Sequence, residues 1–450
     1  MSKRKKISVG LVSLGCAKNA VDLQVAAGHL VSSGCTLAPN PDRCDVVLVN
    51  TCAFIESARE EAVAEIQRAC ALKAAGRCRA VVVGGCFAQR YGKRLADLFP
   101  EVDAFLGIDA IDRIPEIVER ALDRRGGLQH FDIPSSSPDR LFNPPLPALR
   151  FTGAAFAYLK IAEGCVHRCS YCAIPKIRGR YRSRPMKSIL AEARALIKTG
   201  VKELNVIAQD PMLWGVDLKG GERLVDLLKA LDRLRGDFWI RVLYSYPSEI
   251  SDEYLDWLNN ARHAVKYIDV PLQHTDPDVL RAMARGGAIK ATLNAAERLR
   301  AAVPGVTLRT TVMTGFPGES EEAFARLLED VKRMAFDHLG AFAFSPEDGT
   351  KAAEMPGRPS AAVARRRERA VMSAQRRVWA ARAKTIVGRT LRALVVAPGI
   401  ARLESQAPDV DGVVILEKSK GAKLSPDVGE FVDVAITAAD GYDFRGRVAR

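Results

Sequence analysis

The sequence predicts an α/β chain in three parts: a doubly wound N-terminal domain, a partial (βα)6 TIM-like barrel, and a small C-terminal β-barrel. Three observations carry this reading. Over roughly the first 125 residues, short β-branched runs alternate with amphipathic stretches. Six further strand–helix units follow a Pro- and Ser-rich break. After Gly388 the pattern changes to short strands separated by turn signals.

In the first part, strands are expected at 7–14, 45–50, 80–83 and 104–108, and helices at 20–31, 57–72, 88–98 and 114–122. Strands this apolar are buried on both faces, as in a parallel sheet covered by helices. Residues 135–147 (SSSPDRLFNPPLP) have no periodicity and read as a linker. The domain bounds that follow are 1–135, 148–386 and 387–450. In the second part, strands are expected at 154–161, 203–208, 239–245, 267–272, 308–314 and 339–344, with helices such as 222–235, 252–260 and 321–334. Chemistry in such a barrel belongs at the C-terminal ends of its strands. An Arg-rich helix is expected at 361–383, and the last part reads as strands at 390–396, 412–416, 431–438 and 443–448.

At 450 residues the chain is too long for one ordinary core, and 48% apolar with 27% charged residues excludes a disordered or fibrous chain. No run approaches roughly 18 uncharged apolar residues, so no membrane partner is expected. The apolar segment after the basic residues 1–6 is short and strand-like, so no secretory signal is read and the expected address is the cytoplasm. Lys and Arg number 67 against 53 Asp and Glu, a net charge of +14. That excess suits RNA or an RNA-rich particle, although simple solubility would produce it too.

Clustered cysteines in a cytosolic protein of this size read as metal ligands or catalytic groups rather than disulfides. Cys165-Val-His-Arg-Cys169-Ser-Tyr-Cys172 follows the first strand of the second part. Three thiolates this close can grip three corners of a 4Fe–4S cube and leave the fourth iron open to a small molecule. The alternative is structural zinc with His167 or a distant fourth ligand. Cys16, Cys52 and Cys86 each close a predicted strand of the first part, and strand C-termini in a doubly wound sheet share one edge. Three coincidentally placed core cysteines are the plainer alternative. Cys35, Cys44, Cys70 and Cys78 lack that position and read as small buried hydrophobes.

The C-x-x-x-C-x-aromatic-C pattern resembles the signature of the radical S-adenosylmethionine (SAM) enzymes. Ser13-Leu-Gly-Cys16-Ala-Lys-Asn19, Asn50-Thr-Cys52-Ala-Phe-Ile55 and Gly84-Gly-Cys86, followed by Gln89-Arg90-Tyr91, resemble the three N-terminal motifs of the methylthiotransferases within that group. The resemblance spans the whole chain, including a C-terminal TRAM barrel. It is nearest to the branch that modifies an aspartate of small-subunit ribosomal protein twelve, through stretches such as 157–164, 241–247, 269–274, 315–319 and Ser345-Pro-Glu-Asp-Gly-Thr350. The tRNA-modifying branch, which acts on a modified adenosine beside the anticodon, usually differs at the last stretch. Ala17 stands where Pro is usual, and Asp348 where Glu is usual.

The resemblance implies two 4Fe–4S clusters, one on Cys165, Cys169 and Cys172 and an auxiliary one on Cys16, Cys52 and Cys86, with SAM both as radical source and as methyl donor. It implies that the β-carbon of the aspartate is methylthiolated. Ribosomal protein twelve, within the ribosomal subunit, an electron donor and an RNA contact are the partners expected. Among strand-end polar residues, Asp210, Gln273 and Thr314 are candidates for SAM contacts, although each also suits a cap or turn, and His274 is a candidate for a place behind them. Lys176, Arg178, Arg180, Arg182 and Arg184 follow the cysteine loop and would screen cluster charge, meet an acidic substrate loop, or form a solvated basic face. Arg365, Arg366, Arg367, Arg369, Arg376 and Arg377 are expected on the surface, toward RNA.

Overall fold

A computed structural model describes residues 6–123, 129–133, 137–144, 149–150, 153, 155–417 and 426–449. The chain divides into two compact units, one of Met1–Phe151, Lys160–His167 and Cys172–Ala195, the other of Thr152–Leu159, Arg168–Tyr171 and Leu196–Arg450.

The first unit is built on six parallel strands: β1 (Ser8–Ser13), β2 (Thr36–Leu37), β3 (Val46–Thr51), β4 (Ala80–Gly85), β5 (Ala104–Leu106) and β6 (His130–Asp132), in the order β2-β1-β3-β4-β5-β6. Strand alternation sends neighbouring side chains to opposite faces. Val46, Leu48, Ala80 and Val82 pack with helices α1 (Ala17–Ser32) and α5 (Ile114–Leu122), while Val47, Val49, Val81 and Val83 pack with α2 (Glu56–Ala74), α3 (Cys86–Tyr91) and α4 (Arg94–Leu98). Two apolar clusters on one sheet are the physical content of the doubly wound expectation. The helix expected at 88–98 is two helices, broken at Gly92, whose backbone (φ 50°, ψ −125°) leaves the helical region. The short strands β2 and β6 were not expected; two or three residues are too few to show a period. Parts of the 135–147 linker lie outside the described residues, and 137–144 carry no helix or strand.

In the same unit β8 (Ala162–Glu163) pairs antiparallel with β9 (Arg182–Ser183), and between them lies α6 (Ile174–Arg178). Ala173 and Ile177 enter the apolar cluster of α2 and α3. The helix α7 (Met186–Lys198) follows.

The barrel strands are β7 (Phe156–Lys160), β10 (Glu203–Ile207), β11 (Trp239–Val242), β12 (Tyr267–Asp269), β13 (Thr307–Thr314) and β14 (His338–Ala343). They form two three-stranded sheets, β11-β10-β7 and β12-β13-β14. A parallel bridge between Ile240 and Ala264 and a bond from Ser245 N–H to the Asp269 carbonyl (2.8 Å) carry the arc across the gap. The six strands sit where they were expected, and the helices Asp252–Asn260 and Glu321–Met334 match residue for residue.

The chain ends in a closed barrel of β15 (Thr390–Ala397), β16 (Ile400–Leu403), β17 (Val414–Leu416), β18 (Phe431–Asp440) and β19 (Asp443–Val448), in the order β15-β16-β17-β19-β18. Its core takes in Trp379 and Ala383 of the Ala361–Ile386 helix. The fifth strand, β16, escaped the sequence reading because four residues with one charged member show no clear alternation. The connection from β16 to β17 reaches the starts of the barrel strands. Tyr158 donates to Asp409 (2.6 Å), Tyr267 and Arg309 to Asp411 (2.7 and 2.8 Å), and the imidazole of His338 bonds the Ser405 carbonyl (2.7 Å). The opposite strand ends remain for chemistry.

Two candidate cysteine sites

In the first unit, β1 and β3 are neighbours whose following helices leave on opposite faces. That switch point opens a crevice at the strand C-termini. Cys16 stands immediately before α1, Cys52 directly follows β3, and Cys86 directly follows β4 as the first residue of α3. Tight backbone turns bring them together. Gly15 (φ 87°) sits so close that an added Cβ would lie 2.6 Å from the Cys52 Cβ. Gly85 (φ 91°) leaves no room either, with Asn50 Oδ1 and the Thr51 carbonyl each 2.6 Å from an added Cβ. Asn19 donates to the Leu14 carbonyl (2.7 Å), Asn50 to the Asn19 carbonyl (2.8 Å), and Arg90 to the Ala53 carbonyl (2.7 Å). The Asn19, Asn50 and Arg90 of the sequence motifs are therefore braces of the cysteine loops.

Cys16 is exposed, whereas Cys52 and Cys86 are buried. Burial pushes the Cys86 thiol up to about 12, partly offset by the Arg178 guanidinium, and burial also raises Cys52. The charges of Cys16 and Cys52 both reach Cys86. Three thiols gathered this way are the donor chemistry of an iron–sulfur cube, and a metal would hold them ionised against the burial. No three His, Cys, Asp or Glu side chains among the described residues close on a single ion. Gly85→Ala is expected to destabilise the protein by more than about 1 kcal/mol, because Ala at positive φ is strained and its Cβ meets backbone. A thermal melt matching the parent would contradict this.

Behind Cys86 lies a buried ionic cluster. Arg178 (1% exposed) donates through Nη2 to Cys86 Sγ (3.0 Å) and Asn19 Oδ1 (3.3 Å), and through Nη1 to Asp22 and to Glu163 (3.2 Å). Lys160 bonds Asp22 and Glu163 (2.7 Å to the latter). Burial works against the charge on both cations, but Asp22 and Glu163 overcome it and hold them protonated. The expected basic face after the cysteine loop is not one surface. Arg178 and Arg184 are buried, the latter on Glu192 (2.7 Å), and Arg182 binds the carbonyls of Pro138 and Arg178, while Lys176 and Arg180 are exposed.

Of the second trio, Cys165 and Cys172 belong to the first unit and Cys169 to the second. Gly164 (φ 79°) turns the chain into Cys165, whose N–H bonds the Gly179 carbonyl (3.2 Å). In the second unit, buried Arg285 lies 3.9 Å from Cys169 Sγ, stacks on Tyr246 (4.2 Å to the ring centroid) and donates to the Pro271 carbonyl (2.9 Å). Ser170 is fastened by bonds to the carbonyls of Met283 (3.0 Å) and Ala282 (2.8 Å).

The candidate SAM residues all lie at or just beyond C-terminal strand ends. Asp210 is buried and caps the Pro211–Leu213 turn through Met212 N–H (3.1 Å). Gln273 has a left-handed backbone (φ 71°) held on both sides by Thr311 and Met313, and its buried Oε1 has no hydrogen-bond partner among the described residues. The Thr314 hydroxyl donates to the Ala364 carbonyl (3.0 Å). His274 accepts from Asp276 N–H (2.9 Å) and faces Glu319. Two residues were missed: Asn205 on β10, whose buried amide atoms find no partner among the described residues, and Ser245, with its hydroxyl in the same state. The signal was a polar residue inside an apolar strand run. Unsatisfied buried polar atoms are costly, and polar groups of a ligand would relieve them. Arg367 departs from the expected surface position: it is buried against Glu319 and Glu321 (3.1 and 2.9 Å), whereas Arg365, Arg366, Arg369, Arg376 and Arg377 are exposed.

Comparison with known proteins gives three matches along the chain. Residues 159–331 match the radical SAM superfamily, 8–107 match the uncharacterized protein family UPF0004, and 387–449 match the TRAM domain. A protein of Syntrophus aciditrophicus named ribosomal protein uS12 methylthiotransferase RimO is 42% identical over 99% of this chain and 99% of its own length. The proteins of that name from Opitutus terrae (40%; 97% and 96% covered) and Geobacter sulfurreducens (39%; 100% of both) are similar too. Among solved structures, the radical SAM methyltransferase TsrM of Kitasatospora setae superposes with a TM-score of 0.55 at 16% identity, covering 93% of this chain and 80% of TsrM. The likeness to TsrM concerns the fold alone. Among the described residues, no helix is long and apolar enough to cross a membrane.

Proposed function

The chain belongs to the RimO family of ribosomal protein uS12 methylthiotransferases, and on that premise we propose that it methylthiolates the β-carbon of an aspartate of that ribosomal protein, using two 4Fe–4S clusters. It is a radical SAM enzyme, and a 4Fe–4S cluster and SAM are the cofactors of that group. The observation that carries the second cluster is the trio of strand-end thiols, two of them buried, with a guanidinium on the deepest. When bound, the clusters and SAM supply radical and sulfur chemistry at an unactivated carbon, where general acid–base groups contribute only ~10²–10⁴-fold.

The protein's own work is to hold and to exclude. Cys165, Cys169 and Cys172 would hold the cluster that meets SAM, with Arg285 beside Cys169 as a buried counter-charge. Cys16, Cys52 and Cys86 would hold the auxiliary cluster. Asp210, Gln273 and Thr314, joined by Asn205 and Ser245, would line the SAM site, the unsatisfied amides taking its polar groups. The exposed arginines of the Ala361–Ile386 helix would meet ribosomal RNA. Reductive chemistry at an iron–sulfur site also requires an external electron donor.

Mass spectrometry of a deletion strain tests the substrate. Ribosomal protein uS12 should lack an increment of about 46 Da, one CH2S unit transferred by the cofactors, and plasmid-borne enzyme should restore it. Loss of the increment from tRNA alone would transfer the assignment to the tRNA-modifying branch.

A further inference from the structure

We propose that Arg178 is a positioning residue for the auxiliary cluster: its guanidinium donates to the Cys86 thiolate, anchors that ligand and raises the reduction potential of the cluster held there. The inference rests on the two-cluster reading and adds a residue that the cysteine motifs do not contain. Arg178 closes α6, six residues beyond Cys172, yet its Nη2 lies 3.0 Å from Cys86 Sγ. The same nitrogen bonds Asn19 Oδ1 (3.3 Å), and Asn19 braces the turn into Cys16 through the Leu14 carbonyl. One nitrogen therefore touches a ligand directly and a second ligand's loop through one side chain.

The other arm of the guanidinium is fixed by Asp22 and Glu163, which Lys160 also binds. Two cations stand against two carboxylates, so the cluster of side chains is neutral before the thiolate is counted. All four are nearly solvent-free, and a charge-assisted hydrogen bond in such surroundings is strong. Hydrogen bonds to cluster sulfurs and local net charge are the protein's main means of setting an iron–sulfur potential. A planar fork can serve Cys86 and Asn19 on one arm and the carboxylates on the other, which the point-like lysine head cannot do. The next residue, Gly179, accepts the N–H of Cys165, so the same short segment also ties down a cysteine of the other trio.

The test uses the full chain with Cys165, Cys169 and Cys172 replaced by Ala, so that only the N-terminal thiols can hold a cube. Anaerobic reconstitution of this background should load about four irons per chain. Arg178→Met alone would leave Lys160 facing two buried carboxylates, so it is paired with Asp22→Asn, which restores neutrality. In an electron paramagnetic resonance titration the paired variant should be at least about tenfold harder to reduce, a fall of about 59 mV for one electron. Arg178→Lys should recover part of the shift. A variant that keeps the parent's circular dichroism but loads less iron than the background would also support the proposal. Full iron loading with an unchanged potential would overturn it and leave the two-cluster reading standing. A background that binds no iron would overturn that reading itself.

Discussion

Cys52→Ala is expected to leave SAM cleavage intact and to reduce methylthiolation of uS12 to background. Cys52 follows β3 in the N-terminal sheet, whereas Cys165, Cys169 and Cys172 lie between β8 and α6. The change trims one sulfur from a buried position, so the cost in stability is modest. The expected loss of function comes from the ligand set: of the three thiols that would hold the auxiliary cluster, only Cys16 and Cys86 would remain. Iron should fall from about eight to about four per chain, and deoxyadenosine should still form. Cys169→Ala is the converse and should stop deoxyadenosine formation altogether. Both are read by iron analysis and by chromatography of SAM products and substrate peptide. Methylthio product from the Cys52 variant would refute the auxiliary assignment.

Glu203→Gln should have the largest effect on stability. Glu203 opens β10, fully buried, with Arg241 Nε at 2.7 Å and Arg402, from the C-terminal barrel, on its other oxygen. Neutralising it removes the carboxylate that both buried guanidiniums bond, a loss on the order of 3–5 kcal/mol. Asp237→Asn is the control: its pair with Arg392 lies at the surface, 58% and 41% exposed, and should matter by less than about 1 kcal/mol. The pH dependence has a definite sign. Burial raises the Glu203 carboxyl, but Arg402 and Arg241 outweigh it and hold the group below the ordinary carboxylate range. Its contribution is therefore full above the unfolded value, about 4.3, and is lost as the pH falls through the lower folded value. Thermal melts from neutral to acid pH should converge between parent and Glu203→Gln as the pH drops. Melts that coincide at neutral pH would show that the triad contributes nothing.

Most of the architecture was legible because it rests on local periodicity. The runs Val46–Thr51 and Ala80–Gly85 are buried at every position and open on four consecutive apolar residues, and such runs bounded by turns read as doubly covered strands. The cysteines at their ends followed directly, since parallel strands deliver their C-termini to one edge. Short elements such as β2, β6, β8, β9 and β16 did not show, because two to four residues by themselves carry no period. Asn205 and Ser245 were also overlooked: a polar residue in an apolar run is visible, but whether it finds a partner depends on strands far away in the chain.

The arginines mark the boundary between the two kinds of information. Charge and spacing by themselves determined that a basic segment follows Cys172, that an Arg-rich helix precedes the final barrel, and which cysteines stand at strand ends. Only tertiary structure decided that Arg178 is buried on Cys86 while Arg180, two residues on, is exposed, and that Arg367 turns inward while Arg366 does not. The reason is physical. A backbone period is a property of adjacent residues, whereas burying a charge requires counter-charges from Asp22 and Glu163 that only the folded chain brings within reach.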